Sequence, residues 1–204
     1  TNGKIIVARS YVPELVDFGH PDTSRPDDLS PEDHVGHGTA AAMIAAGETV
    51  NAPLATITGV APKAYLGNYK IFGSPGVNDI TFPDVLFNAL EDAITDGMDV
   101  VSVSLAMPAI WSPDDSGAVC GADSGIACDQ MAAVVENAAN MGLTVVTAAG
   151  NQADTGYQFP SYGTIDSPGT APSAITVGAS YNGHIFYASV KVPGSDAPSN
   201  LRQI

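Results

Sequence analysis

The spacing of apolar residues along this chain switches between a strand pattern and a helix pattern. Apolar runs typical of strands occupy residues 4–8, 64–72, 100–104, 143–148 and 174–179. Between them, two stretches repeat apolar residues every three or four positions, as one face of a helix does. Thr81 is expected to cap the first of these helices and Gly97 to end it. Asp129 is expected to cap the second, and Gly142 to end it.

Two further stretches complete the predicted order of elements. An Ala-rich run predicts a helix over about residues 37–46, whereas residues 13–33, rich in Pro, Asp and Ser, predict a surface loop. The order β-α-β-α-β predicts an α/β fold, with a parallel sheet flanked by helices. Ligands bind beyond the carboxyl ends of such strands. Two turns of small residues lie at these ends, Ser104-Leu105-Ala106 and Ala148-Ala149-Gly150-Asn151.

The composition of the chain limits the classes of partner that it is expected to bind. The chain has 204 residues, 45% of them hydrophobic, and no apolar run long enough to predict a membrane span. Its 22 acidic and 7 basic residues give a net charge of −15, which argues against a nucleic-acid partner. Solubility is the favoured reason for this charge, and a preference for basic substrates is the alternative. A metal site at Asp33, His34 and His37 lacks a further ligand at suitable spacing, so no metal or cofactor is expected.

Two cysteines, Cys120 and Cys128, enclose a short polar loop that contains glycine. This arrangement predicts a disulfide, which suits an oxidising, extracellular compartment. Free thiols and half of a metal site are the alternatives. The metal version has no support from further cysteines or from a nearby histidine.

His37 is the main candidate for chemistry. It stands in Gly36-His37-Gly38-Thr39 at the expected start of the Ala-rich helix, where small neighbours leave its imidazole accessible. The ordinary pKa of histidine lies close to neutral pH, so His37 is a natural general base. A structural histidine is the alternative here, and a turn residue is the alternative for Asn151.

Several motifs occur in an order that points to one protein family. They are Gly36-His37-Gly38-Thr39, Gly59-Val60-Ala61-Pro62-Lys63-Ala64, the stretches 96–105 and 173–179, and Ala148-Ala149-Gly150-Asn151. Together they resemble the subtilisin-like serine proteases (subtilases, peptidase family S8) over most of residues 1–190. Residues 2–11 are similar to a stretch between the Asp and His motifs of plant-type and related large subtilases. The resemblance implies a subtilisin-like parallel sheet, a polypeptide substrate and secretion.

The resemblance also implies a role for each matching residue. His37 would be the base of the catalytic triad, and Asn151 would donate its side-chain amide to the oxyanion. Ser104, Leu105 and Ala106 would pair with the main chain of the substrate, as an added strand does. Ala148, Ala149 and Gly150 would line the primary specificity pocket. Their small size predicts a preference for a large apolar or aromatic substrate residue.

The chain also departs from the family pattern. Ala106 stands where the family has glycine, and the Gly-Thr-Ser motif of the nucleophile does not occur in the 204 residues. No aspartate before His37 is followed by Thr-Gly or Ser-Gly, the pattern of the orienting acid. Residues 1–192 are therefore expected to be part of a catalytic domain, lying between the Asp and Ser motifs and inactive without its remainder. Residues 193–204 are expected to lead into an inserted protease-associated domain. A non-catalytic subtilase-like binding or scaffold module is the alternative.

Overall fold

Helices and strands alternate along the chain, in a computed structural model that describes residues 2–19, 24, 26–121, 126–152 and 163–180. The helices are α1 (Val12–Phe18), α2 (His37–Ala46), α3 (Pro83–Thr95) and α4 (Gln130–Asn140). The strands are β1 (Ile5–Ser10), β2 (Val50–Asn51), β3 (Thr56–Ile57), β4 (Leu66–Lys70), β5 (Val100–Val103), β6 (Thr144–Ala148) and β7 (Ile175–Val177). The predicted α/β class is confirmed. The predicted junction at 193–204 lies outside the described residues.

The main strands form two parallel sheets where one was predicted. β1 pairs with β4, so that Ser10 lies opposite Lys70. β5, β6 and β7 form the second sheet in that order, with Val100 opposite Thr144. Within the described residues no ladder joins β4 to β5, and each has a free edge there. β2 and β3 form a short antiparallel hairpin that the sequence pattern did not predict.

The larger core lies between helices α3 and α4 and the strands β5 and β6. Its buried residues are Leu86, Leu90, Ala93, Val103, Ala127, Met131, Ala132, Val135, Ala138, Leu143, Val145 and Ala171. The predicted apolar stripe of α4 supplies much of this surface. Asp129 caps α4 as predicted, since its carboxylate accepts the N–H groups of Met131 at 2.9 Å and Ala132 at 3.1 Å. Among the described helices, none is long and apolar enough to cross a membrane.

The start of α3 differs from the prediction. Phe82, and not Thr81, is the N-cap residue, with φ −123° and ψ 156°. Pro83 follows at the first helical position, and proline forces the preceding residue into an extended conformation. The cap position therefore falls on Phe82, and no described residue hydrogen-bonds to the Thr81 hydroxyl.

The prediction of a surface loop over residues 13–33 is wrong at its start, where α1 forms. Pro13 lies in the first turn, where its missing N–H costs no hydrogen bond, and Glu14 complements the helix N-terminus. Leu15 is buried against Val85 and Ala89 of α3. Tertiary burial thus stabilises a short helix that local composition does not favour.

Arg9 connects β1 to the end of α3. Its guanidinium makes two hydrogen bonds to Asp96, at 2.8 and 2.6 Å, and an ion pair with Asp92 at 3.4 Å. The hydroxyl of Tyr69 in β4 also donates to Asp96. The hydrogen bond from Arg9 holds the pKa of Asp96 below its usual range. The first sheet is thereby attached to the helix that covers the second.

Candidate active site

The predicted general base, His37, is the first residue of α2. Gly36 precedes it with φ +86°, a left-handed conformation that favours glycine, and the chain turns sharply into the helix there. The His37 side chain is exposed, and no hydrogen bond from another described residue engages its imidazole. The imidazole is therefore accessible to a reacting group, as general-base chemistry would require.

Asp33 holds the first turn of α2 in place. One carboxylate oxygen accepts the N–H groups of Val35 and Gly36, each at 2.8 Å. The other accepts the N–H of Thr39 at 2.9 Å and its hydroxyl at 2.7 Å. These bonds, the Thr39 hydroxyl foremost, hold the pKa of Asp33 well below its usual range. Asp33 therefore acts as the capping acid of α2, although it precedes the formal cap, Gly36.

Sequence reasoning missed this role of Asp33 and considered the residue only as a metal ligand and, among the aspartates before His37, as an orienting acid. The available signal was a capping-type residue three positions before the glycine that opens an Ala-rich helix. No group of three or more His, Cys, Asp or Glu side chains in the described residues is arranged to hold a metal ion.

The far end of α2 is held by residues 59–61, part of the motif Gly59-Val60-Ala61-Pro62. The N–H groups of Val60 and Ala61 donate to the carbonyls of Ile44 and Ala45, at 2.9 and 2.8 Å. A Cβ at position 59 would collide with the main chain at Gly47, so only glycine allows this close approach. α2 is thus fixed at both ends through its main chain. The Ile44 side chain, in the last turn, is nevertheless 69% exposed.

The predicted substrate-binding segments come together beyond β5 and β6. Residues 104–106 follow β5, and residues 149–151 follow β6, its parallel neighbour. Met107 and Ser167 exchange two main-chain hydrogen bonds of 2.9 Å, and the N–H of Asp166 donates to Ala149 at 3.0 Å. The segments 104–107, 148–151 and 166–167 therefore form one group, which we call the cleft segments. His37 is not part of this group and lies at the start of α2.

Gly150 turns the chain beside a buried acid. Its φ is +92°, and a Cβ at this position would collide with the carboxyl group of Asp166. Asp166 is 3% exposed. Burial raises its pKa, and a hydrogen bond from the main-chain N–H of Asn151 opposes this effect. The small cleft beside this turn is lined by Pro108, Ala109, Gln152 and residues 163–166.

The cysteine loop supports the cleft segments from one side. The predicted disulfide between Cys120 and Cys128 is present, with the Cα atoms 6.0 Å apart. Asp115, fully buried, accepts the N–H groups of Cys128 at 2.8 Å and Asp129 at 2.7 Å. The Ser167 hydroxyl in turn donates to Asp129. Partly buried hydrogen bonds therefore join the loop, the start of α4 and the cleft segments.

Comparison with known proteins identifies the family. The model of the subtilase family (peptidase S8) matches residues 6–201. The chain belongs to the subtilase family. Among its relatives, the subtilisin-like protease SBT3.17 of Arabidopsis thaliana is 36% identical over 172 residues, which cover 81% of this chain and 20% of that protein. SBT4.6 of the same plant is 32% identical over 195 residues, which cover 93% of this chain and 22% of that protein.

A bacterial relative agrees with this membership, and two solved structures share the fold. The PIII-type proteinase of Lactococcus lactis subsp. cremoris (strain SK11) is 29% identical over 195 residues, covering 90% of this chain and 9% of that protein. This subtilase chain thus spans between 9% and 22% of the length of these three relatives. The protease domain of PatA shares the fold, with a TM-score of 0.50 and 22% identity over 72% of this chain and 44% of that one. The leader-peptide-processing serine protease EpiP of Staphylococcus aureus also shares the fold, with a TM-score of 0.50 and 21% identity. The match covers 72% of this chain and 34% of that one.

Proposed function

We propose that this chain is the segment of a secreted subtilisin-like serine endopeptidase that carries the general base, the oxyanion donor and the substrate-binding walls. The observation that carries the proposal is the grouping of the cleft segments at the carboxyl ends of two neighbouring parallel strands. Subtilases are proteases, so the expected substrate is a polypeptide. The disulfide supports an oxidising, extracellular location.

In the proposed reaction, His37 takes the proton of a catalytic serine as that serine attacks the peptide carbonyl. The side-chain amide of Asn151 donates a hydrogen bond to the oxyanion of the tetrahedral intermediate. His37 then gives its proton to the leaving amine, which departs from the acyl-serine. The main chain of residues 104–106 holds the substrate in an extended conformation, as a strand edge does. The Ala106 methyl group narrows this edge.

The serine and the orienting aspartate are proposed to come from the remainder of the catalytic domain. The sequence lacks the nucleophile motif, and no described residue hydrogen-bonds to the His37 imidazole. The apolar surface near α2 supports such a partner, because Ile44 and Val60 are 69% and 87% exposed. We therefore expect the 204-residue chain to be inactive by itself.

The test compares the 204-residue chain with an extended protein, in which the same chain is expressed with its flanking coding sequence. We expect the extended protein to hydrolyse casein and to react with a fluorophosphonate probe, and the 204-residue chain to do neither. His37→Ala should abolish hydrolysis by the extended protein. Turnover or labelling of the 204-residue chain that His37→Ala abolishes would contradict the proposal.

The oxyanion role of Asn151 has its own test in the extended protein. Asn151→Ala should lower kcat by about 10²–10³, the loss known for such a donor in subtilisin, with little change in KM. Asn140→Ala, at the exposed end of α4, is the matched control and should leave kcat unchanged. An equal effect of the two substitutions would contradict the assignment.

The non-catalytic binding module remains the second candidate, and Ala106 in place of glycine favours it. It predicts that the extended protein binds peptides along residues 104–106 but neither hydrolyses casein nor reacts with the probe. His37→Ala would then leave peptide affinity unchanged.

A further inference from the structure

The buried carboxylate of Asp166 differs from the other buried acids of this chain. Asp115 accepts three main-chain N–H groups, from Gly117, Cys128 and Asp129. Glu136 accepts both the N–H and the hydroxyl of Ser173. The carboxylates of these two acids accept hydrogen bonds that join separate segments of the fold.

Asp166, in contrast, has few partners among the described residues and lies beside the cleft. The main-chain N–H of Asn151 interacts with its carboxylate, and none of the Lys, Arg or His side chains in the described residues forms an ion pair with it. The group is 97% buried, being 3% exposed, and its residue lines the cleft with Pro108 and Ala109. A buried carboxylate without a cation is costly, and a bound cation offsets that cost.

The position of the carboxylate relates it to the proposed specificity pocket. It lies against the Cα of Gly150, in the space that a side chain at this position would fill. Gly150 directly precedes the proposed oxyanion donor, Asn151. A substrate side chain that passes the small residues 148–150 would therefore reach the Asp166 carboxylate with its far end.

We propose that Asp166 determines specificity by selecting a lysine or arginine side chain at the substrate residue whose carbonyl is attacked. This inference rests on the proposed protease function. It replaces the apolar preference expected from the small pocket walls, because a basic side chain supplies the missing cation and an apolar one does not. The net charge of −15 further attracts basic polypeptides.

The experiment measures kcat/KM of the extended protein on peptides that differ only at this residue: lysine, arginine, leucine and norleucine. Norleucine matches the lysine stem without the ammonium group. We expect lysine and arginine to exceed norleucine by about 10- to 100-fold, the range for one charged hydrogen-bonded partner. In Asp166→Asn that ratio should fall to about one, through a larger loss on the lysine and arginine peptides than on the norleucine peptide. Asp114→Asn, at an exposed aspartate, is the matched control.

Each other outcome has a distinct meaning. Cleavage without a basic preference would overturn the role of Asp166 and leave the protease function intact. An equal loss on all peptides in Asp166→Asn would show a structural role and also overturn the inference. If no peptide is cleaved, the proposed function fails, and calorimetric affinities of the same peptides decide whether Asp166 selects a basic side chain.

Discussion

Removal of the Asp33 carboxylate tests how α2 and its histidine are held. In Asp33→Ala, three main-chain N–H groups, of Val35, Gly36 and Thr39, and the Thr39 hydroxyl lose their acceptor. These groups are solvent-exposed, so water replaces much of what is lost. Loss of a helix-capping side chain costs about 0.5–2 kcal/mol, and four bonds to one carboxylate place this case near the upper end, at about 1.5 kcal/mol. Asp33→Asn keeps an acceptor oxygen and should cost about half as much.

The effect should depend on pH in a defined direction. The native-state pKa of Asp33 is lowered, so its carboxylate contributes stability above the ordinary aspartate pKa of about 3.9. That contribution is lost as the pH falls through the lowered native value. The difference in unfolding free energy between wild type and Asp33→Ala should therefore be full at pH 7 and narrow below about pH 4.

Urea denaturation followed by circular dichroism measures this difference on the 204-residue chain at pH 7, 5 and 3. Asp114→Ala, which removes an exposed carboxylate, is the control for net charge. Amide hydrogen exchange of α2 should report faster opening in Asp33→Ala even where global unfolding changes little. An unfolding free energy and exchange rates equal to those of Asp114→Ala would refute the capping role.

Three other substitutions, one of them with a matched control, test the cleft and its supports. Gly150→Ala and Gly76→Ala each place alanine at positive φ, a cost of about 1–2 kcal/mol, but only at position 150 does the new methyl group collide with Asp166. Gly150→Ala should therefore show the lower urea midpoint, and equal midpoints would contradict the packing described. Asp166→Asn should raise the free energy of unfolding at pH 7, because the raised native pKa of Asp166 disfavours its charged form, and this gain should vanish below about pH 4. Cys128→Ser should lower the free energy of unfolding by about 2.5 kcal/mol, because it opens the loop between two cysteines separated by 8 positions. Dithiothreitol should lower the stability of wild type by the same amount and leave that of the variant unchanged.

The helices and strands of the larger core follow from local sequence because each has a strong period and clear end signals. α4 has its apolar stripe, its Asp129 cap and its terminal Gly142, and all three are found in the structure. α1 escaped prediction because it is seven residues long and depends on burial of Leu15 against α3. The division of the strands into two sheets was also not predicted, because a strand's sequence does not identify which neighbour it pairs with.

The candidate site was likewise predicted only in part from the sequence. His37 and the segments 104–106 and 148–151 were predicted from motifs, and the structure brings the two segments together while His37 lies on α2. Asp33 and Asp166 were missed because their roles come from contacts made in space. The contact between Asp166 and Gly150, for example, spans sixteen positions and has no periodic signal.

The way α2 is held affects how its sequence can vary. Its first turn is fixed by Asp33 and its last by residues 59–61, and both attachments involve main-chain groups. Exposed side chains of the helix, such as Ile44, contribute little to the fold of this chain. A saturation mutagenesis survey on the 204-residue chain should therefore record these positions as permissive. In the extended protein the same survey should find them constrained, and the pattern of intolerance would outline the surface that covers the helix.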